Sequence, residues 1–193
     1  MSDKEKGLKE KERFKRTREL AVAGNFTDIP DDHYLRYHST IKRIHIEDQP
    51  LVLTDQIDNL YPWQAGLRDE LLQLPDRRKV IWYTDLLGGK GKSEFAKYME
   101  QTHAAVLFSN GKFADMAYIL PKNPRIVIID LVRGDSDDKI CYAFIEALKN
   151  GRVQSTKYEP ILKRFNAPHV VVFSNFAPDK HKLSEDRWDC RDL

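Results

Sequence analysis

The stretch from Asp85 to Ser93, Asp-Leu-Leu-Gly-Gly-Lys-Gly-Lys-Ser, has the composition of a loop that binds phosphate. Glycines allow backbone N–H groups to close around phosphate oxygens, and a helix that follows adds the positive end of its dipole. Lys92 is placed to reach the β- and γ-phosphates of ATP, and the Ser93 hydroxyl to bind Mg²⁺. The residues predicted to bind the nucleotide are Gly88, Gly89, Lys90, Gly91, Lys92 and Ser93.

One position departs from the usual pattern of such loops, G-x-x-x-x-G-K-[ST], because Leu86 stands where the first glycine is expected. The alternative interpretation is an ordinary glycine-rich turn with an exposed lysine. The flanking elements favour the phosphate loop: Val80 to Thr84 is an apolar run typical of a buried strand, and Glu94 to Met99 begins a helical pattern.

Beyond the loop, apolar strands alternate with helical patterns. Strands are predicted at 104–108, 126–130 and 170–173, and helices at 112–120 and 137–149. Strands that are apolar throughout indicate a parallel sheet buried on both faces. The sequence therefore predicts an α/β fold of the P-loop NTPase type, with a largely parallel central sheet covered by helices and preceded by a small N-terminal helical segment.

Polar residues follow two of these strands, at the edge of the sheet where the phosphate loop is expected. Asp130 ends the strand 126–130 and is predicted to hold Mg²⁺ or its waters; its alternative role is that of a turn former. Asn175 follows the strand 170–173 and could meet the γ-phosphate or the attacking water. The residue after Asp130 is Leu131, so no general base is evident, and Asp135 is the only substitute we identify.

Composition sets broad limits on function. The chain has 193 residues, 32% of them charged, and a formal net charge of +2. This balance permits nucleic-acid binding without requiring it, so any DNA site must be a local patch. Cys141 and Cys190 have no metal-binding spacing, and no apolar run has the length of a membrane span. We expect an intracellular protein that does not bind membranes.

The domain organisation predicted from composition has three parts. Residues 1–19 are dense in Lys, Arg and Glu and are interpreted as a charged N-terminal arm, with nuclear import or nucleic-acid contact as alternatives. Residues 20–59 are expected to form a small helical or oligomerisation segment with a connector. Residues 60–193 would form the ATPase domain, opened by a helix over 60–74.

Taken together, the motifs resemble the superfamily 3 helicase domain, and more narrowly that of replication-initiator (Rep) proteins of small circular single-stranded DNA viruses such as nanoviruses and circoviruses. The resemblance covers about Leu20 to Trp188. It is carried by four stretches: 82–93 resembles motif A, 128–133 motif B, 142–159 the motif between B and C, and 171–188 motif C with its sequel.

The resemblance implies an ATP- and Mg²⁺-dependent DNA helicase, AAA+-like in fold, that acts in viral rolling-circle replication. Such domains assemble into rings, commonly hexamers, around single-stranded DNA, and a neighbour's arginine completes each nucleotide site. Arg187 is the candidate for that arginine. The segment 151–157 would be the DNA-binding hairpin, with Lys149, Arg152 and Lys157 as its phosphate contacts. The implied location is the host nucleus.

One departure from the family limits these expectations. Full-length Rep proteins begin with a nicking endonuclease, and its histidine motif and catalytic tyrosine are not found among these residues. The chain should therefore not nick DNA; it is a helicase half, a fragment or a degenerate relative. The rival function is a nucleotide-binding oligomerisation and DNA-binding module with little turnover. A small-molecule P-loop kinase is a weaker alternative.

Overall fold

The structure is a computed structural model that describes residues 3–49, 57, 59–135, 139–157 and 160–193. It divides into two units, Met1–Thr54 and Asp55–Leu193. The first unit contains helices α1 (Asp3–Ala23) and α2 (Asp31–Asp48). The second contains, in chain order, α3 (Pro62–Leu71), β1 (Val80–Thr84), α4 (Lys92–His103), β2 (Val106–Phe108), α5 (Phe113–Ile119), β3 (Ile126–Asp130), α6 (Tyr142–Lys149), β4 (Arg152–Ser155), β5 (Ile161–Arg164), β6 (His169–Ser174) and β7 (Trp188–Asp192).

The first unit is built on contacts between its two helices. Ala21, Ile29 and Ile41 form its small apolar core. The Thr17 hydroxyl and the His33 ring share a buried hydrogen bond of 2.8 Å. Helix α1 runs through the boundary that the sequence placed at residue 19, and Ala21 near its end packs with Ile41 of α2. Most of the predicted connector lies outside the described residues.

The central sheet of the second unit has five strands in the order β2-β3-β6-β1-β7, and all of its pairings are parallel. Successive side chains of a strand point to opposite faces, and here each face has its own core. Trp82 of β1 packs in the core that includes α5 and α6. Its neighbours Ile81 and Tyr83 pack in the core that includes α3 and α4. The predicted α/β fold is confirmed.

The remaining strands, β4 and β5, form an antiparallel hairpin apart from the central sheet. Its inner residues are Val153 and Ser155, which are buried, and its outer residues are exposed. Glu159, which belongs to the predicted motif between B and C, lies outside the described residues.

Two elements differ from their predicted form. The helix predicted over 137–149 begins at Tyr142, because the Tyr142 N–H donates to the Ile140 carbonyl (3.0 Å) and Cys141 has a non-helical conformation; residues 136–138 lie outside the described part. Strand β2 begins two residues later than predicted, because Ala104 adopts a left-handed conformation (φ 52°) where α4 ends.

Candidate nucleotide-binding site

The carboxyl ends of three neighbouring strands form one edge of the sheet. Thr84 at the end of β1 pairs with Ser174 of β6, and Asp130 at the end of β3 pairs with Phe173. The Asp85 N–H continues the ladder by donating to the Ser174 carbonyl at 3.0 Å. The parallel sheet thus brings the glycine-rich loop, Asp130 and the residues after β6 to the same place, as predicted.

The loop between β1 and α4 has a conformation that requires its glycines. Gly88, Gly89 and Gly91 have φ values of 78°, 85° and 78°. A Cβ atom at Gly91 would lie 2.9 Å from the side-chain nitrogen of Gln64. Side chains are strained in this region of φ, and glycine is the residue that adopts it freely.

Helix α3 braces the far side of the loop. The Trp63 indole N–H donates to the Lys90 carbonyl (3.2 Å), and the Gln64 amide donates to the Gly91 carbonyl (2.9 Å). Arg133, beyond β3, donates to the Leu87 carbonyl. Three side chains that the sequence did not assign to the site, Trp63, Gln64 and Arg133, therefore bind carbonyl groups of the loop and restrain it.

The inside of the loop surrounds a carboxylate. Asp85 is 1% exposed, and its Oδ1 accepts the Gly88 N–H at 2.6 Å. Its Oδ2 accepts the Lys92 ammonium at 2.8 Å and the Lys90 N–H at 3.4 Å. Burial alone would raise the pKa of Asp85, but the hydrogen bonds from Lys92 and the loop outweigh it, and the net effect is a lowered pKa. The loop donors therefore converge on an anion.

Ser93 and Asp130 lie together at the first turn of α4. Their side chains share a hydrogen bond, and Asp130 is only partly exposed. Burial raises the pKa of Asp130, while the Ser93 hydrogen bond and the charges of Lys92 and Lys97 oppose that rise. A hydroxyl and a carboxylate are the oxygen ligands that Mg²⁺ takes from a protein when phosphates and water supply the others.

A cavity of about 350 Å³ opens between these groups. It is lined by residues of the loop, of the turn after β3 and of the turn after β6: Gly89, Lys90, Gly91, Lys92, Ser93, Glu94, Asp130, Leu131, Val132, Arg133 and Asn175. The predicted nucleotide residues from Gly89 to Ser93 line it, together with Asp130 and Asn175. Gly88 is not one of the lining residues, and its N–H donates to Asp85.

Asn175 is engaged with the base of the loop. Its side-chain nitrogen donates to the Asp85 carbonyl at 2.6 Å, so it fixes the strand end from which the loop starts. Its predicted contact with the γ-phosphate or water stays a prediction.

Neither Leu131 nor Asp135 is placed to act as a general base at the cavity. Leu131 is 3% exposed and packs in the core of the sheet. Asp135 accepts the Val132 N–H at 3.0 Å and lies outside the lining of the cavity. The placement of Asp135 does not fit the role of a substitute base.

Two predicted functional residues lie at the opposite, amino end of the sheet. Lys149 is 5% exposed, and its ammonium donates to the carbonyls of Asp76 (2.9 Å) and Pro168 (2.8 Å). Burial lowers its pKa to about 8, Arg187 adds to the lowering and Asp76 opposes it. An ammonium enclosed in this way does not fit the predicted DNA contact, and that assignment is corrected.

Arg187 immediately precedes β7, whose first residue, Trp188, pairs with the first residue of β1. It is 3% exposed and donates to the Asn150 side chain at 2.8 Å. Its Nε and Nη1 atoms have no hydrogen-bond partner among the described residues. The structure does not bring Arg187 to the cavity of its own chain, and reaching a neighbour's site would require it to leave this buried position.

The other predicted DNA contacts lie on the hairpin. Arg152 is exposed, and its register partner on β5 is Arg164, which is also exposed. Lys157 forms an ion pair of 2.6 Å with Asp115 of α5. The hairpin surface is therefore basic, with Arg164 as a residue that the sequence analysis did not single out.

A larger cavity, of about 690 Å³, lies at the amino end of the sheet beside Lys149 and Asn150. This cavity has more room for a ligand, but the chemistry of its lining residues favours the smaller cavity as the nucleotide site. The smaller cavity has the loop donors and the pair of oxygen ligands, whereas Arg77, Arg125 and Lys149 line the larger one.

The parallel sheet, the glycine-rich loop after β1 and the acid at the end of β3 define the class: an α/β protein with a P-loop NTPase-like fold. None of the helices in the described ranges has the length and apolar character to span a bilayer.

Comparison with known proteins adds the family. No family model matches the chain, but curated relatives do. The chain is 37% identical over 169 residues to Para-Rep C7 of Faba bean necrotic yellows C7 alphasatellite. These residues make up 84% of this chain and 59% of that protein. The chain is 40% identical over 132 residues to Para-Rep C10 of Milk vetch dwarf C10 alphasatellite, covering 67% and 47% of the two chains.

The master replication protein of Faba bean necrotic yellows virus (isolate Syrian SV292-88) is 39% identical over 126 residues, covering 65% of this chain and 43% of that protein. The chain is a Rep-like protein, a homologue of nanovirus and alphasatellite replication proteins. It spans about half the length of the curated relatives it matches.

Proposed function

We propose that this chain is an ATP-dependent DNA helicase motor of the superfamily 3 type, which acts in viral DNA replication and moves along single-stranded DNA as a ring. The observation that carries the proposal is the convergence of Lys92, Ser93, Asp130 and Asn175 on one cavity at the carboxyl edge of the sheet. The names of the relatives as replication proteins support the same process.

Within this proposal each residue has a physical task. The loop N–H groups and Lys92 bind the phosphates of ATP, and Ser93 and Asp130 hold the metal. Bound Mg²⁺ neutralises charge that develops on the phosphate oxygens. Because phosphoryl transfer needs little covalent help from a protein, positioning and charge stabilisation by these fixed groups would supply most of the rate enhancement.

The DNA site of this proposal is the outer surface of the β4–β5 hairpin. Arg152 and Arg164 lie opposite each other there. Like charges directly opposite on a sheet destabilise it, and the phosphates of a DNA backbone would relieve that repulsion. Lys157 can join them by exchanging Asp115 for a DNA phosphate. Contacts of this kind are independent of sequence.

A hexameric ring in which Arg187 completes a neighbour's site requires this arginine to leave Asn150. Two nitrogens of its guanidinium have no hydrogen-bond partner within the described part of the chain, and this favours such a rearrangement, because burying them without partners is unfavourable.

The second candidate function is a nucleotide-binding and DNA-binding module with little turnover. Two observations favour it: Leu131 is buried where a second acid would polarise water, and Asp135 is occupied by the turn that it caps. Both candidates bind nucleotide, and they differ in whether ATP is hydrolysed.

The test is ATP hydrolysis with and without single-stranded DNA, at a protein concentration that allows assembly. For the motor we expect Mg²⁺-dependent hydrolysis that DNA stimulates. Arg152→Ala should remove most of the stimulation and leave the rate without DNA unchanged, because the hairpin is remote from the loop residues. Nucleotide binding without phosphate release would establish the second candidate. Stimulation that survives in the Arg152→Ala, Arg164→Ala double variant would contradict the hairpin as the DNA site.

A further inference from the structure

The glycine-rich loop already holds an anion of its own, the carboxylate of Asp85. We propose that Asp85 competes with the phosphates of the nucleotide for Lys92 and the loop N–H groups, so that the side chain acts as an internal inhibitor that nucleotide must displace. The inference rests on the proposed nucleotide-binding function and concerns the regulation of that site.

The donors that bind Asp85 are the same groups that a phosphate would need. Asp85 accepts hydrogen bonds from the Gly88 and Lys90 backbone N–H groups and from the Lys92 ammonium. Backbone N–H groups and the lysine are the donors that a loop of this kind offers to phosphate oxygens. A backbone N–H has one hydrogen, so its bond to Asp85 and a bond to phosphate of the same quality exclude each other.

Asp85 and Lys92 form a buried pair of opposite charges. Asp85 is 1% exposed and Lys92 is 7% exposed, and their charged atoms are 2.8 Å apart. If Lys92 turned to a phosphate, the carboxylate would lose its cation while still buried, and its negative charge would face the incoming negative charge. Both effects disfavour binding.

The backbone of Asp85 is fixed by hydrogen bonds, so it cannot move the carboxylate away from the loop donors. Its N–H donates to the Ser174 carbonyl (3.0 Å), and its carbonyl accepts from Asn175 (2.6 Å). Release of the loop donors must therefore come from rotation of the Asp85 side chain, or from movement of the turn after β6 that carries Asn175.

One alternative arrangement predicts the opposite result. A lysine ammonium has three N–H groups, so Lys92 could donate to Asp85 and to a phosphate together. Asp85 would then be a positioning residue that aims Lys92, and its removal would weaken binding. The sign of the change in affinity separates the two roles.

The experiment is calorimetric titration of ADP into the wild-type chain, Asp85→Asn, Asp85→Ala and the matched control Asp192→Asn. Asp192 is exposed at the same edge of the sheet, at the end of β7, and its replacement makes the same change in charge. Thermal unfolding of each variant checks its fold. We expect the Kd for ADP to fall about tenfold or more in both Asp85 variants, the scale of one charge-assisted hydrogen bond, and to stay near wild type in the control.

The outcomes distinguish failure of the proposed Asp85 inhibitor from failure of the proposed nucleotide-binding function. An unchanged or raised Kd in the Asp85 variants, with ADP bound by the wild type, would overturn the inhibitor and leave nucleotide binding standing. Absence of ADP binding in the wild type and in both variants would overturn the proposed function itself. Asp85→Ala is included because it leaves no amide beside Lys92, so a folding defect specific to Asp85→Asn does not decide the result.

Discussion

Lys92 and Lys149 are both buried lysines at an end of the same sheet, but they have different kinds of partner. Lys92, at the carboxyl end, is paired with a carboxylate at 2.8 Å. Lys149, at the amino end, donates to the backbone carbonyls of Asp76 and Pro168. A side-chain partner can rotate away and be exchanged for a ligand, whereas backbone carbonyls ahead of two strands cannot.

The hydrogen-bond acceptors distinguish the two lysines, because both are buried and both line a cavity. Lys149 links the segment before β1 to the segment before β6, and its hydrogen bonds go to backbone carbonyls. Lys92 has a side-chain partner, Asp85, that could rotate away. The kind of acceptor, more than burial, separates a structural lysine from one that can bind ligand.

The largest expected effect is on ATP hydrolysis. Lys92→Ala should reduce the rate by about a hundredfold or more and leave the fold intact, because the loop loses the buried ammonium that is placed to reach the β- and γ-phosphates. Lys149→Met, measured on folded protein, should hydrolyse ATP close to the wild-type rate. Hydrolysis at the wild-type rate in Lys92→Ala would contradict the assignment of the loop.

The free energy of unfolding should depend on Lys149. Lys149→Met keeps the aliphatic chain but leaves the carbonyls of Asp76 and Pro168 without their donor, and we expect the free energy of unfolding to fall by about 1–3 kcal/mol. Urea unfolding measures this, with Lys122→Met, at an exposed position, as the control. A more stable Lys149→Met variant would mean that the burial of the charge outweighs its two hydrogen bonds.

A further expected effect is a pH dependence specific to Lys149. Its pKa is lowered from 10.5 to about 8, so between these values the folded chain binds fewer protons than the unfolded chain. The cost of the buried charge is present below pH 8 and is relieved as the pH rises toward 10.5. Relative to Lys149→Met, wild-type stability should therefore rise over this range, by at most about 1.4 kcal/mol per pH unit. A difference that stays constant with pH would show that Lys149 keeps its ordinary pKa.

The central strands could be predicted from sequence because their burial is complete. Strands β1 and β3 read as unbroken apolar runs, and a parallel sheet covered on both faces produces that pattern. Strand β7 was missed for the converse reason. It lies at the edge of the sheet, and its sequence from Trp188 to Asp192 alternates with charged residues.

The sequence could predict the site residues that lie at or directly after the end of a strand. Asp130 and Asn175 follow buried strands, and the parallel order places them beside the loop. Trp63 and Gln64 gave no such signal, because each precedes its hydrogen-bond partner in the loop by 27 residues and acts through a single hydrogen bond to a carbonyl. Sequence position likewise could not show that Lys149, at the end of a helix, turns inward rather than toward solvent.

The position of β6 has a consequence for how the chain acquires its structure. This strand lies at the centre of the sheet, between β3 and β1, although it is the fourth of the five sheet strands in chain order. Pairings between strands so far apart in sequence form slowly. The glycine-rich loop is therefore synthesised about eighty residues before Ser174 and Asn175 can fix its first residue. Until then β1 lacks an inner neighbour, and folding of the nucleotide site is expected to be a late event.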